Sequence, residues 1–202
     1  MGGDETEIER LMAELRDEDR CTRMAACRRL GEIGTAAAVS ALASATHDPA
    51  SGVRGTVAIV LAKSRAKKKA VPVLLELLKD ADSKVRALAA RSLGLLKEPT
   101  AVTPLRYALR SASRDEVEWI IRALRDIGDL SAADDIARFL SSPELDLRWT
   151  AAEALATLGD IRAAEWLRQL SDEPEIPISS RKRIPSLLRK LQKMRDKMHE
   201  KR

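Results

Sequence analysis

Small and branched apolar residues recur along this chain at three- and four-residue intervals. In SKVRALAARSLGLL, residues 83–96, Arg86 is followed by Ala89, Ala90, Leu93, Gly94 and Leu96 at +3, +4, +7, +8 and +10. That spacing puts the apolar positions on one face of a helix. The same offsets follow Arg23 (Ala26, Cys27, Leu30, Gly31, Ile33), Arg54 (Val57, Ala58, Leu61, Ala62) and Arg148 (Ala151, Ala152, Leu155, Ala156, Leu158). Val117 stands at the remaining anchor, ahead of Ile120, Ile121, Leu124 and Ile127. The anchors at 23, 54, 86, 117 and 148 step by 31, 32, 31 and 31 residues.

A second helix precedes each following anchor, marked by Leu42, Leu74, Leu105, Ile136 and Leu167 at steps of 32, 31, 31 and 31. Asp48-Pro49, Lys97-Glu98-Pro99, Gly128-Asp129, Ser142-Pro143 and Gly159-Asp160 fall between helices, where stops and caps belong. Residues 4–15 and 181–200 supply a first and a last helix. A lone helix pair cannot bury its apolar stripe, whereas stacked pairs share a continuous core. The pattern therefore predicts an all-α, right-handed α-solenoid of five to six helix pairs, with residues 4–178 as the repeat body and 179–202 as a basic amphipathic capping helix.

Composition fits thin apolar layers: the chain has one Tyr, one Phe and three Trp. With 45% hydrophobic and 33% charged residues it is too apolar for disorder and too charged for a membrane protein, and it lacks a run of about 18 apolar residues. Cys21 and Cys27 lie six apart on one helix, where they do not face each other, so a reduced, cytoplasmic protein is expected. The start Met1-Gly2-Gly3-Asp4-Glu5-Thr6 satisfies the loose myristoylation pattern.

Charge is unevenly placed. Residues 179–202 carry ten Lys and Arg against Asp196 and Glu200, a local +8, which leaves residues 1–178 at −3 of the overall +5. Ile184, Leu187, Leu188, Leu191, Met194 and Met198 give this tail an apolar side, opposite Arg181, Lys182, Arg183, Arg189, Lys190, Lys193 and Lys197. A second basic run, SRAKKKA at residues 64–70, reads as a loop between helix pairs.

AVPVLLELLKDADSKVRALAARSLGLL, residues 70–96, resembles the HEAT-like repeat named after phycobilisome bilin lyases in its A-V-P entry, K-D loop, V-R start and A-A-x-x-L-G body. The resemblance covers about residues 8–170. It implies that the Asp six residues before an anchor (Asp17, Asp48, Asp80) and the anchor Arg form a ladder between adjacent repeats, a role suited to the planar guanidinium. Repeat four has Ser111 and Val117 at these two places, so both partners are absent together. Proteins with such repeats serve as scaffolds, bilin-lyase subunits, hydroxylases and DNA glycosylases, so the resemblance speaks for fold more than for activity.

Offsets +2, +5 and +9 of each anchor helix point away from the stack, and the resemblance implies that they line a concave surface. They read Ala25, Thr56, Leu88, Trp119 and Thr150; Arg28, Ile59, Arg91, Arg122 and Glu153; and Glu32, Lys63, Leu95, Asp126 and Thr157. Trp149, at +1, is expected to join them. Interleaved arginine, aromatic and large apolar side chains are the composition of a protein-binding surface.

The chemistry of a catalyst is missing. His47 and His199 are the only histidines, and the one His-Glu pair, His199-Glu200, lies in the tail. No Gly-rich phosphate loop, nucleophile elbow or Cys/His arrangement appears. The expectation is a non-enzymatic module without metal, cofactor or catalytic residues, binding a protein partner through Arg28, Ile59, Lys63, Leu88, Arg91, Leu95, Trp119, Arg122 and Trp149. The alternative is salt-sensitive nucleic-acid binding through the concave arginines and the tail. The pattern suits a monomer and a homodimer equally.

Overall fold

The computed structural model describes residues 2–199. Met1 of the myristoylation-like start and Glu200 of the tail's His-Glu pair lie outside them. The chain forms an all-α HEAT-type solenoid of helix pairs and divides into two compact units, Met1–Ala123 and Leu124–Arg202.

In the first unit the pairs are α1 (Gly2–Glu14) with α2 (Arg20–Ile33), α3 (Ala36–Ala43) with α4 (Ser51–Leu61), and α5 (Lys67–Leu77) with α6 (Ser83–Leu96). Next come α7 (Val102–Arg110) and the start of α8 (Arg114–Ile127). Local chemistry sets these boundaries. The Asp19 carboxylate accepts the Thr22 amide at 2.9 Å, and Asp82 accepts that of Lys84 at 2.8 Å, so one first-turn amide of α2 and one of α6 is satisfied by its cap. Gly34, at φ +62°, ends α2 by donating its N–H to the Leu30 carbonyl. The SRAKKKA run is only partly loop, because α5 begins at Lys67 and takes up its lysines; the Lys67 ammonium contacts the Leu96 carbonyl at 3.3 Å.

Helices α2, α4 and α6 pack side by side, backed by the shorter first helices. The inward offsets are sealed: Ala26, Cys27, Leu30, Val57, Ala58, Leu61, Ala89, Ala90 and Leu93 have no exposed surface, nor do Leu74 and Leu105 of the backing helices. Close approach depends on small residues at +8. A Cβ on Gly94 would lie 2.7 Å from the Ala123 Cα, and one on Gly31 2.4 Å from the Val60 Cβ. Backbone cannot step aside as a flexible side chain can. Gly94→Val is expected to lower the unfolding free energy by about 2 kcal/mol in urea denaturation; an unchanged midpoint would show that α6 and α8 separate without cost.

The second unit contains the end of α8, α9 (Ala133–Ala137), α10 (Leu145–Leu158), α11 (Ala163–Asp172), the short α12 (Ile178–Arg181) and α13 (Ile184–His199). Ile136, Ala151, Ala152, Leu155 and Leu167 have no exposed surface. Helix α13 packs on α10 and α11, burying Ile184 and Leu191. Its Met194 fills the space beside Gly159, whose φ of +94° ends α10.

Candidate functional site: the outer face of the anchor helices

The anchor arginines form a ladder rather than a reactive centre. Arg23 donates through Nε and Nη2 to the Asp48 carboxylate at 2.6 and 3.0 Å, and through Nη1 to the Asp17 carbonyl at 2.8 Å. Arg54 repeats this with Asp80 at 2.6 and 2.8 Å and the Asp48 carbonyl at 2.7 Å. Each fork thus engages the carboxylate of the following repeat, while the remaining nitrogen holds its own turn. Arg86 finds Ser111 at the corresponding position and instead meets Glu116 at 2.7 and 2.8 Å, with Nη1 on the Asp80 carbonyl. In the second unit Arg148 Nη2 reaches Glu173 at 3.2 Å.

Ser111 does not cost Arg86 its partner, because Glu116, buried beside the Val117 anchor and accepting the Ser113 amide at 2.6 Å, supplies the carboxylate. The two charges of each rung come from adjacent repeats, as the resemblance implied. A 31-residue step from Ser142 lands on Glu173, a signal present in the sequence, whereas Glu116 is off the period.

The Asp48, Asp80 and Glu116 carboxylates titrate low. The Arg54 fork, together with the Asp82 amide, outweighs burial and holds Asp80 below the usual aspartate range. For Asp48 and Glu116 burial acts upward, but Arg23 with the Ala50 amide, and Arg86 with Ser113, bring both below their ordinary values of 3.8 and 4.5. A depressed folded-state value stabilises the fold above the ordinary value and loses that contribution as pH falls through it. The melting temperature should therefore hold near neutrality and fall below about pH 4; a flat profile to pH 3 would contradict the ladder's role. The Cys27 thiol is pushed up to about 12, first by burial and then by the Asp48 carboxylate, so it is a packing group rather than a nucleophile.

On the outer face of the first unit Arg28, Ile59, Lys63, Arg91 and Leu95 are exposed, and Leu88, Trp119 and Arg122 are half-buried. Leu88 leans over Gly55, to whose virtual Cβ its Cδ1 lies at 3.1 Å. The Arg91 and Arg122 guanidinium carbons sit 5.4 and 5.6 Å from the Trp119 ring centroid, so two cations share one indole. Arg122 also pairs with Glu118 at 2.5 Å, and Arg29 with Glu32 at 2.7 Å. Among the described residues no carboxylate pairs with Arg28, Lys63 or Arg91.

The exposed strip is narrower than expected. Thr56, Thr150 and Glu153 are buried, and so is Trp149, which does not join the surface. Offset +1 lies about 20° from the close-packed +8 row and +2 about 40° from +6, so both are on the flanks of the strip rather than at its centre. Only +5 and +9 look straight out. At Glu153 the tail adds cover, for Arg183 contacts its carboxylate and Arg125 approaches it at 3.2 Å.

Part of the basic tail is held by the second unit itself. Arg181 donates to the Glu173 carbonyl at 2.7 Å and Lys190 to that of Thr157 at 2.6 Å, while Lys182, Arg189 and Lys193 are exposed. Among the described residues no three or more His, Cys, Asp or Glu side chains are grouped to hold a metal, and no helix is long and apolar enough to cross a membrane.

The family described as HEAT repeats matches residues 8–70, 45–125 and 109–180. The complex of CpcE and CpcF of phycocyanin lyase from Nostoc sp. PCC7120 is similar at 25% identity and a TM-score of 0.65, covering 91% of this chain and 94% of that one. An engineered protein is similar at 23% identity and a TM-score of 0.67, covering 93% and 97%. A computationally designed armadillo repeat protein for modular peptide recognition is similar at 17% identity and a TM-score of 0.61, covering 91% and 99%. The last two likenesses concern the fold alone. No curated protein matches the sequence.

Proposed function

The chain belongs to the HEAT-repeat family, and from that premise we propose that it is a non-enzymatic interaction module that captures a protein partner on the outer face of α2, α4, α6 and the start of α8. The observation that carries the reading is the Arg91–Trp119–Arg122 stack, with Ile59 and Leu95 exposed nearby. Large apolar and arginine side chains left at a surface suit a desolvated contact with another protein. The similar structure at 25% identity is itself a complex of two chains, which supports association as the mode of action. Nucleic-acid binding through the tail is the weaker reading, since Arg181, Arg183 and Lys190 already serve contacts within the second unit.

The test is affinity capture with the full chain and with a Trp119→Ala/Arg91→Glu double variant. The variant should keep its helical circular dichroism and retain less than about a tenth of the captured partner, as loss of a hot-spot pair implies. Equal capture by both proteins would remove the outer face from consideration.

A further inference from the structure

The chemistry of this face also constrains what it takes, an inference that rests on the interaction reading above. Three of its cations, Arg28, Lys63 and Arg91, lack a carboxylate partner among the described residues, whereas Glu32 and Glu118 are already neutralised by Arg29 and Arg122. The strip is therefore net positive where it is most open. Along the +5 row the order is Arg28 on α2, Ile59 on α4 and Arg91 on α6, one side chain per helix on helices packed side by side. Adjacent packed helices lie about 8–10 Å apart, so Ile59 stands midway between two cations separated by about 16–20 Å.

A partner backbone that returns to the same face once per helix must repeat at that distance. A polyproline II segment does so, with three residues per turn and a rise of about 3.1 Å, or about 9 Å per turn. A β-strand turns its third residue away, and an α-helix reaches the spacing only after about seven residues. We infer that this face binds an acidic polyproline II segment of a protein, reading acid-x-x-apolar-x-x-acid. Its outer carboxylates pair with Arg28 and Arg91 and its middle side chain rests on Ile59. Arg91, already stacked on Trp119, presents its guanidinium with part of its freedom removed, which lowers the ordering cost of a charge-assisted contact.

The experiment is a polarisation titration of the full chain with labelled Glu-Pro-Pro-Leu-Pro-Pro-Glu. Binding is expected, with about tenfold weakening when either peptide Glu becomes Gln, when Arg28→Ala or Arg91→Ala is introduced, or when Leu becomes Ser. Raising salt from about 50 to about 300 mM should weaken it about threefold or more. Equal binding of the Gln or a Lys version overturns the acidic assignment. Binding only of a helical peptide with the same three residues seven apart overturns the polyproline geometry. No binding of any of these peptides also overturns the inference; if capture of a partner still depends on Trp119 and Arg91, the interaction reading survives, and if it does not, both fall.

Discussion

Deleting residues 179–202 is expected to destabilise the second unit by about 3–6 kcal/mol, the cost of uncovering the surfaces that two fully buried aliphatic side chains now fill. Those side chains are Ile184 and Leu191, each 2% exposed, with Met194 adding contact at Gly159. The deletion also takes Arg183 from the buried Glu153 carboxylate, leaving Arg125 as its ion-pair partner, and Lys190 from the end of α10. An end pair of a repeat array has one neighbour, so an unprotected apolar face there melts first. Hydrogen exchange should show α10 and α11 losing protection while α2, α4 and α6 keep theirs. Unchanged protection in α10 and α11 would mean that α13 is an appendage rather than a cap.

Arg54→Ala is expected to lower the unfolding free energy by about 3 kcal/mol, at the low end for breaking a buried pair because the rung lines the surface. The substitution strands the Asp80 carboxylate, whose side chain is only 6% exposed, and releases the Asp48 carbonyl from its Nη1 donor. The double variant Arg54→Leu/Asp80→Leu should recover part of the loss, because removing both charges leaves no uncompensated ion. Urea denaturation of Arg54→Leu, Asp80→Leu and the double variant supplies the cycle. If Arg54→Ala shifts the midpoint no more than an exposed Lys→Ala control, the ladder is not a source of stability.

The ladder shows where sequence reasoning reaches and where it stops. Anchor positions, steps of 31 and 32 residues and inward offsets were all legible, because a repeating stack imposes the same packing on every unit. Which carboxylate meets which arginine was not, since Asp48 lies six residues before Arg54 in sequence yet its carboxylate meets Arg23. In that register Val117 corresponds to Ser142, so both charges of that rung are missing together. Glu116 could not be foreseen, because a side chain one residue from an anchor substitutes for one six away only when the turn folds it back to the same point.

The candidate face divides in the same way. Arg28, Ile59, Lys63, Arg91 and Leu95 were readable as outward from phase alone, since +5 and +9 lie farthest from any neighbouring helix. Trp149 and Glu153 were not, because the width of the exposed strip depends on how closely adjacent helices approach and on where the tail returns.

By itself the sequence determined the helix pairs, their register and the composition of the core, because periodic burial leaves its mark on every repeat. Only the tertiary structure decided that two arginines share the Trp119 ring, which carboxylate each anchor arginine meets, and that tail arginines serve the second unit. The Arg91–Trp119, Arg23–Asp48 and Arg183–Glu153 contacts join residues about 25–30 positions apart, and such distances are set by packing rather than by local periodicity.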